Sequence, residues 1–147
     1  MSLSFSFSTI VVIATCHQVI ILFRTFLKAL LYGQVRITSG GDGKCSAEFT
    51  VSREHLNRLG GLHGGFTATL VDMVTTYALM SKPCHPGVSI SISVDYLKAA
   101  KEGDDVLIDA NLLKAGKKLA FLECVLKHKK DNSIIAKGSH TKYVDFQ

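Results

Sequence analysis

From about residue 33 onward the chain offers one helix-length segment, and every other periodic stretch reads as strand. That imbalance most limits what it can fold into. The segment opens on Gly60-Gly61-Leu62-His63-Gly64-Gly65 and continues through Phe66-Thr67-Ala68-Thr69-Leu70-Val71-Asp72-Met73-Val74 to about Met80. Lys82-Pro83 and Pro86-Gly87 stop it, because proline lacks an amide donor and drives the residue before it out of helical geometry. Strand candidates surround it: 34–38 and 44–51 across the turn Gly40-Gly41-Asp42-Gly43, then 88–96, 105–113, 119–128 and 134–144. Ala115-Gly116-Lys117 reads as the turn of a hairpin. One helix cannot cover both faces of so large a sheet. The expected fold is therefore α+β, with a curled antiparallel sheet wrapped around one long central helix.

Two patterns within these elements carry further expectations. Val88, Ile90, Ile92, Val94 and Tyr96 alternate with Ser89, Ser91, Ser93 and Asp95, which places Ser89 on the polar face of its strand. On the helix, Phe66, Leu70, Met73, Val74 and Tyr77 fall on one side and should meet the sheet. Gly65, Ala68, Thr69, Asp72, Thr75 and Thr76 fall on the other side. That second side is small rather than charged, as a contact with another backbone would require.

The start of the helix also has chemical consequences. A helix N-terminus presents unpaired N–H groups and the positive end of its dipole, which suits a carbonyl oxygen gaining negative charge. A carboxylate acting on water, such as Asp72, would complete a hydrolytic site. Gly64 and Asp72 are eight residues apart, roughly 12 Å at helical rise. Reacting atoms must approach to about 3–3.5 Å. If both groups serve one site, the second comes from another copy of the chain, which predicts a catalytic dimer.

Asn57, Gly60-Gly61-Leu62-His63-Gly64-Gly65, Thr67-Ala68-Thr69-Leu70-Val71-Asp72 and Pro86-Gly87-Val88-Ser89 resemble the hotdog-fold acyl-CoA thioesterases. The likeness is to the phenylacetate-pathway type and its eukaryotic thioesterase-superfamily relatives. It extends through Asp95-Tyr96-Leu97, Ala99-Ala100-Lys101, Leu113-Lys114-Ala115-Gly116-Lys117, Leu119-Ala120-Phe121 and His140-Thr141-Lys142. The family often has Ser-Pro where this chain has Lys98-Ala99.

The resemblance implies a hotdog domain over 33–147, assembled as a homodimer or as a dimer of dimers (homotetramer), acting on acyl-CoA without a cofactor. It implies that the Gly64 N–H and the Asn57 side chain polarise the thioester carbonyl, and that Asp72 of the other subunit activates water. Ser89 would help to orient that water, and His63 would support the Gly-rich loop rather than act as base. Candidates for holding coenzyme A are Tyr96, Lys98, Lys101, Lys114, Gly116, Lys117, Lys118 and Lys142. Phe66, Leu70 and Met73 would line an apolar acyl channel along the helix between subunits. Two rivals stand beside this reading. A hotdog hydratase would need an Asp–His pair converging on a C–H or hydroxyl, and the Asn57, Gly64, Asp72 and Ser89 set does not supply one. A non-catalytic acyl-CoA or lipid-binding module would be held at a membrane by the apolar N-terminus.

Composition narrows the classes further. The chain has 147 residues, 47% apolar and 20% charged, enough for one domain with a real core. Its net charge of +5 is not gathered into one run, and no nucleic-acid reading module is present. Four cysteines without C-x-x-C spacing and six histidines without a paired ligand motif give no metal site. Met1 to Phe23 carries no charge, with Arg24 and Lys28 following. Residues 1–32 read as a signal peptide with its charges on the wrong side, a short membrane span, or a helix docked on the domain or on a membrane. His17, Arg24 and Lys28 lie within about 20° of His17's direction on a helical wheel, which fits the last of these. A serine-rich, acid-free start also fits mitochondrial targeting. The expected location is cytoplasmic or mitochondrial, with membrane contact through residues 1–31 as a further option.

Overall fold

The computed structural model describes residues 35–145, so the readings for residues 1–32 lie outside the described residues. In chain order it contains β1 (Arg36–Gly41), β2 (Lys44–Thr50), one 3-10 turn (Arg53–His55), helix α1 (Gly64–Met80), β3 (Val88–Tyr96), β4 (Asp105–Ala115), β5 (Leu119–His128) and β6 (Ile134–Tyr143). The strands form one six-stranded sheet, ordered β1-β2-β4-β5-β6-β3, with every neighbouring pair antiparallel. One central helix against an open, curled antiparallel sheet is the hotdog arrangement.

Strand register explains how a single helix suffices. Cys45, Ala110, Cys124 and Gly138 lie side by side across β2, β4, β5 and β6, a row of small side chains under the helix. At Gly138 a Cβ would come within 2.5 Å of Val71, so the helix rests almost on the backbone there. Leu70, Val71, Val74, Ala78 and Leu79 meet this row and its neighbours Ile108, Leu122 and Leu126, all essentially inaccessible to solvent. Each fully buried side chain of this size contributes about 1.5–3 kcal/mol.

The buried side of α1 is broader than expected and turned about the helix axis. Thr67, Val71 and Thr75 are buried with Leu70 and Val74, while Phe66, Met73 and Tyr77 remain partly exposed. A curled sheet contacts more than one stripe of a helix, so small and hydroxylated residues are also enclosed. Thr75, expected on the open side, tolerates burial because its hydroxyl donates to the Val71 carbonyl at 2.7 Å.

Turn chemistry moved the first strand. Asp42 and Gly43 both adopt positive φ, at 51° and 81°, the two-residue turn that antiparallel hairpins favour. Gly40 and Gly41, expected in the turn, therefore extend β1. At its other end α1 stops at Ser81, whose hydroxyl donates to the Ala78 carbonyl and accepts from Gly43 N–H.

The clearest alternation in the sequence belongs to β3, yet β3 lies at the edge of the sheet, and Val88 and Ile90 are 55% and 56% exposed. Its pairing with β6 slips between Ser89 and Ser91, leaving Ile90 as the extra residue of a bulge. Beyond the bulge Ile92, Val94 and Tyr96 sit opposite His140, Gly138 and Ala136, on the helix side. Before it, Ser89 sits opposite Lys142, on that same side. A bulge shifts the alternation by one residue and re-aims the flanking side chain. Ser89 thus faces the helix, not the outer surface that strict alternation assigns to it.

Candidate active site

Two groups of residues converge along α1, one at its start and one near its middle. The first lies at its N-terminus. Residues 57–61 close on themselves: Asn57 N–H donates to Gly61 O and Gly60 N–H to Asn57 O, at 2.8 and 3.1 Å. The Asn57 side-chain oxygen accepts from the N–H groups of Leu59 and Gly61, at 2.9 and 3.2 Å. With its oxygen committed to the turn, the amide must present its NH2 outward as a donor. His63 caps the helix through Nδ1, which accepts from Gly65 N–H at 2.9 Å, and its own N–H donates to His55 O. His63 is therefore a loop support. Gly64 follows as the first helical residue, and among the described residues no acceptor takes its N–H.

Beside these free donors lies a cavity of about 390 Å³, lined by Asn57, Leu62, Gly64, Thr67, the Tyr96–Ala100 segment and Ile135. Tyr96 donates to Gly64 O at 2.9 Å, and its ring lies where a Cβ on Gly64 would meet it at 3.3 Å. A Cβ there would press on the Tyr96 ring, which would have to give by a few tenths of an ångström.

The second group lies two turns along. Asp72 is one-third exposed, and Ser89 Oγ is 3.5 Å from its Oδ1, long for a hydrogen bond. Ser89 Oγ is closer to His140 Nε2, at 2.9 Å, and His140 Nδ1 is 2.7 Å from Thr75 Oγ1. The shortest of these contacts favour one arrangement of protons. The Thr75 hydroxyl has one proton, and the Val71 carbonyl, also 2.7 Å away, can only accept it. Thr75 must then accept from His140 Nδ1–H, which leaves Nε2 to accept the Ser89 proton. The Asp72 carboxylate stays free to accept from water.

Electrostatics agree with that assignment. Burial, helped by Lys142 and opposed by Asp72, lowers the pKa of His140 from its ordinary 6.5 to about 4. His140 and Asp72, 3.7 Å apart, are near enough for an ion pair, but a neutral imidazole does not form one. Asp72 thus has a histidine neighbour, His140, which lies outside the Asn57, Gly64, Asp72 and Ser89 set. The two still do not suit a hydratase, because the His140 side chain is wholly buried and its Nε2 is occupied by Ser89.

The structure sorts the remaining candidates by position. Lys98 and Lys101 lie at the Gly64 end, where the Lys98 amine donates to Ser133 Oγ and faces Asp131 at 3.6 Å. Lys114, Gly116, Lys117 and Lys118 are exposed on the β4–β5 hairpin. Leu119 there pairs with Tyr143, which pairs with Val88, so the hairpin shares the Ser89 end of the sheet. Lys142 is buried, and its amine donates to Thr76 Oγ1 at 2.8 Å. The three residues expected along an acyl channel between subunits lie apart from the cavity at the helix N-terminus. Leu70 is fully buried in the core, Phe66 stacks on His55 at 4.4 Å, and neither they nor Met73 line the cavity. No metal-holding cluster occurs among the described residues.

The residue that the sequence reading missed is His140. Its signal was the final strand, where Ala136, Gly138, His140 and Lys142 alternate on one face. Polar residues at such inward positions need partners, and those partners are far away in sequence.

The match to known proteins agrees with this geometry. Residues 59–135 match the thioesterase superfamily model. Human acyl-coenzyme A thioesterase 13 is 43% identical over 82% of this chain and 86% of its own length. The crystal structure of zebrafish thioesterase superfamily member 2 superposes with a TM-score of 0.74 at 45% identity, covering 76% of this chain and 81% of that one. A Streptococcus mutans protein solved with acetyl CoA bound superposes with a TM-score of 0.72 at 25% identity, over 78% and 90% of the two chains. A single helix held in a curled antiparallel sheet is the hotdog architecture that this chain shares with these thioesterases. The chain belongs to the thioesterase superfamily.

Proposed function

We propose that the protein hydrolyses acyl-CoA thioesters to the free acid and coenzyme A, at sites shared between two copies of the chain. One observation carries this reading: the unpaired N–H of Gly64, with the Asn57 side chain beside it, and the carboxylate of Asp72 stand apart, Gly64 and Asp72 being eight residues from each other on one helix. At about 1.5 Å per residue that separation is roughly 12 Å, too far for one thioester carbonyl to use both within one chain.

The carbonyl oxygen would accept from Gly64 N–H and Asn57 Nδ2–H, which polarises the carbon and stabilises the charge that develops on attack. Asp72 of a second copy takes a proton from water as that water adds to the carbon. Ser89, its own proton held by His140, offers lone pairs to the water's other hydrogen. Collapse of the tetrahedral adduct breaks the C–S bond, and the proton on Asp72 returns to the departing sulfur. The edge strand β3, with exposed Val88 and Ile90 and one unpaired side, suits pairing between copies. Coenzyme A held between copies could meet Lys98 and Lys101 of one chain and the hairpin lysines of the other. Human acyl-coenzyme A thioesterase 13 and the acetyl CoA bound to the Streptococcus mutans protein support this substrate class.

Release of free thiol from a panel of acyl-CoAs tests the reading. Asp72→Asn should lower turnover at least about 100-fold, the scale for loss of a general base, with little change in binding. Undiminished turnover in that variant would overturn it.

A further inference from the structure

Lys142 remains without an explanation. It is only 4% exposed, which is rare for a lysine, and it lies on the helix-facing side of β6, opposite Ser89. Its amine donates to Thr76 Oγ1 at 2.8 Å, and the Thr76 hydroxyl donates to the Asp72 backbone carbonyl at 2.7 Å. Among the described residues its other N–H donors have no protein acceptor, and no ion pair includes it. Burial pushes the pKa of the amine down, while the nearby Asp72 charge favours the ammonium form.

The groups around it show what this charge can affect. From α1 the cluster is faced by Asp72, Thr75 and Thr76, from β3 by Ser89, and from β6 by His140. The titratable members are Asp72 and His140. If His140 gained a proton, Nε2–H would become a donor. It could then turn toward Asp72 at 3.7 Å, engage the carboxylate in an ion pair and release the Ser89 proton. The base would then be occupied before water arrived.

We propose that Lys142 is a positioning residue for hydrolysis: its buried ammonium, anchored to Thr76, adds to the burial that keeps His140 from closing on Asp72 and does not hold substrate phosphate. The role of Asp72 here rests on the thioester-hydrolysis reading above; the charge relation between Lys142 and His140 does not. Lysine suits the position because its long stem packs along the sheet while a compact charge reaches the helix.

The test is an NMR titration of the His140 ring in the full chain, with kcat and KM followed against pH. Lys142→Met and Lys142→Gln should each raise the His140 midpoint by about one unit or more, the usual effect of removing a nearby like charge. The acid limb of kcat should move with it, and KM should stay within about twofold because binding is untouched. Lys142→Arg should stay near the wild type. Lys142→Gln can still donate to Thr76, so it separates charge from hydrogen bonding if Lys142→Met folds poorly. An unmoved His140 midpoint in the folded neutral variants overturns the proposal. So does a rise in KM with kcat intact, which would restore the phosphate role, and so does loss of fold in both neutral variants. Asp72→Asn runs alongside: full turnover there removes the hydrolytic reading itself, whatever the lysine variants do.

Discussion

Mixing two inactive variants should restore activity in a predictable amount. The first is Asp72→Asn, which removes the base. The second is Asn57→Asp, which keeps the oxygen that accepts from Leu59 and Gly61 N–H but removes the NH2 donor. In the proposed shared site, Gly64 and Asp72 of one chain are about 12 Å apart along the helix, so each site would take Asn57 and Gly64 from one copy and Asp72 from the other. In a mixed dimer one site then carries both changes and the other carries neither. Random exchange of equal amounts gives about half mixed dimers in a two-fold assembly, each with one intact site of two, so about a quarter of wild-type turnover should return. The assay is thiol release after exchange, with mixed dimers quantified by native mass spectrometry. If exchange is complete and activity stays at the level of the separate variants, each chain holds a whole site and the distance argument fails.

Two further outcomes follow from the packing and the charges. Because the pKa of His140 is lowered from 6.5 to about 4, the unfolded chain takes up its proton first as pH falls. This part of the stability is intact above about 6.5, is lost progressively down to about 4, and amounts to at most about 3 kcal/mol. Urea midpoints between pH 7 and 4 should fall less steeply in His140→Gln than in wild type; equal slopes would count against a buried neutral imidazole. Gly138→Ala should cost about 1–3 kcal/mol by overpacking, since its Cβ would lie 2.5 Å from Val71. Thermal unfolding measures the loss, and Val71→Ala in the same chain should recover part of it.

Much of this protein was legible in its amino-acid order because the responsible physics is local. Glycines and prolines marked the turns, hydrophobic period separated one helix from the strands, and His63-Gly64-Gly65 placed bare amide donors at a helix start. The eight-residue interval to Asp72 also belongs to the sequence, and with it the prediction of a shared site. Only tertiary structure decided which way Ser89 points, because a single bulge at Ile90 reverses the alternation before it. Likewise, only packing showed that Leu70 belongs to the core and that Lys142 turns inward to Thr76. The Ser89–His140–Thr75 chain joins residues 51 and 65 positions apart. Local propensity reaches a few residues along a chain, whereas burial, proton direction and pKa depend on whatever the fold brings alongside.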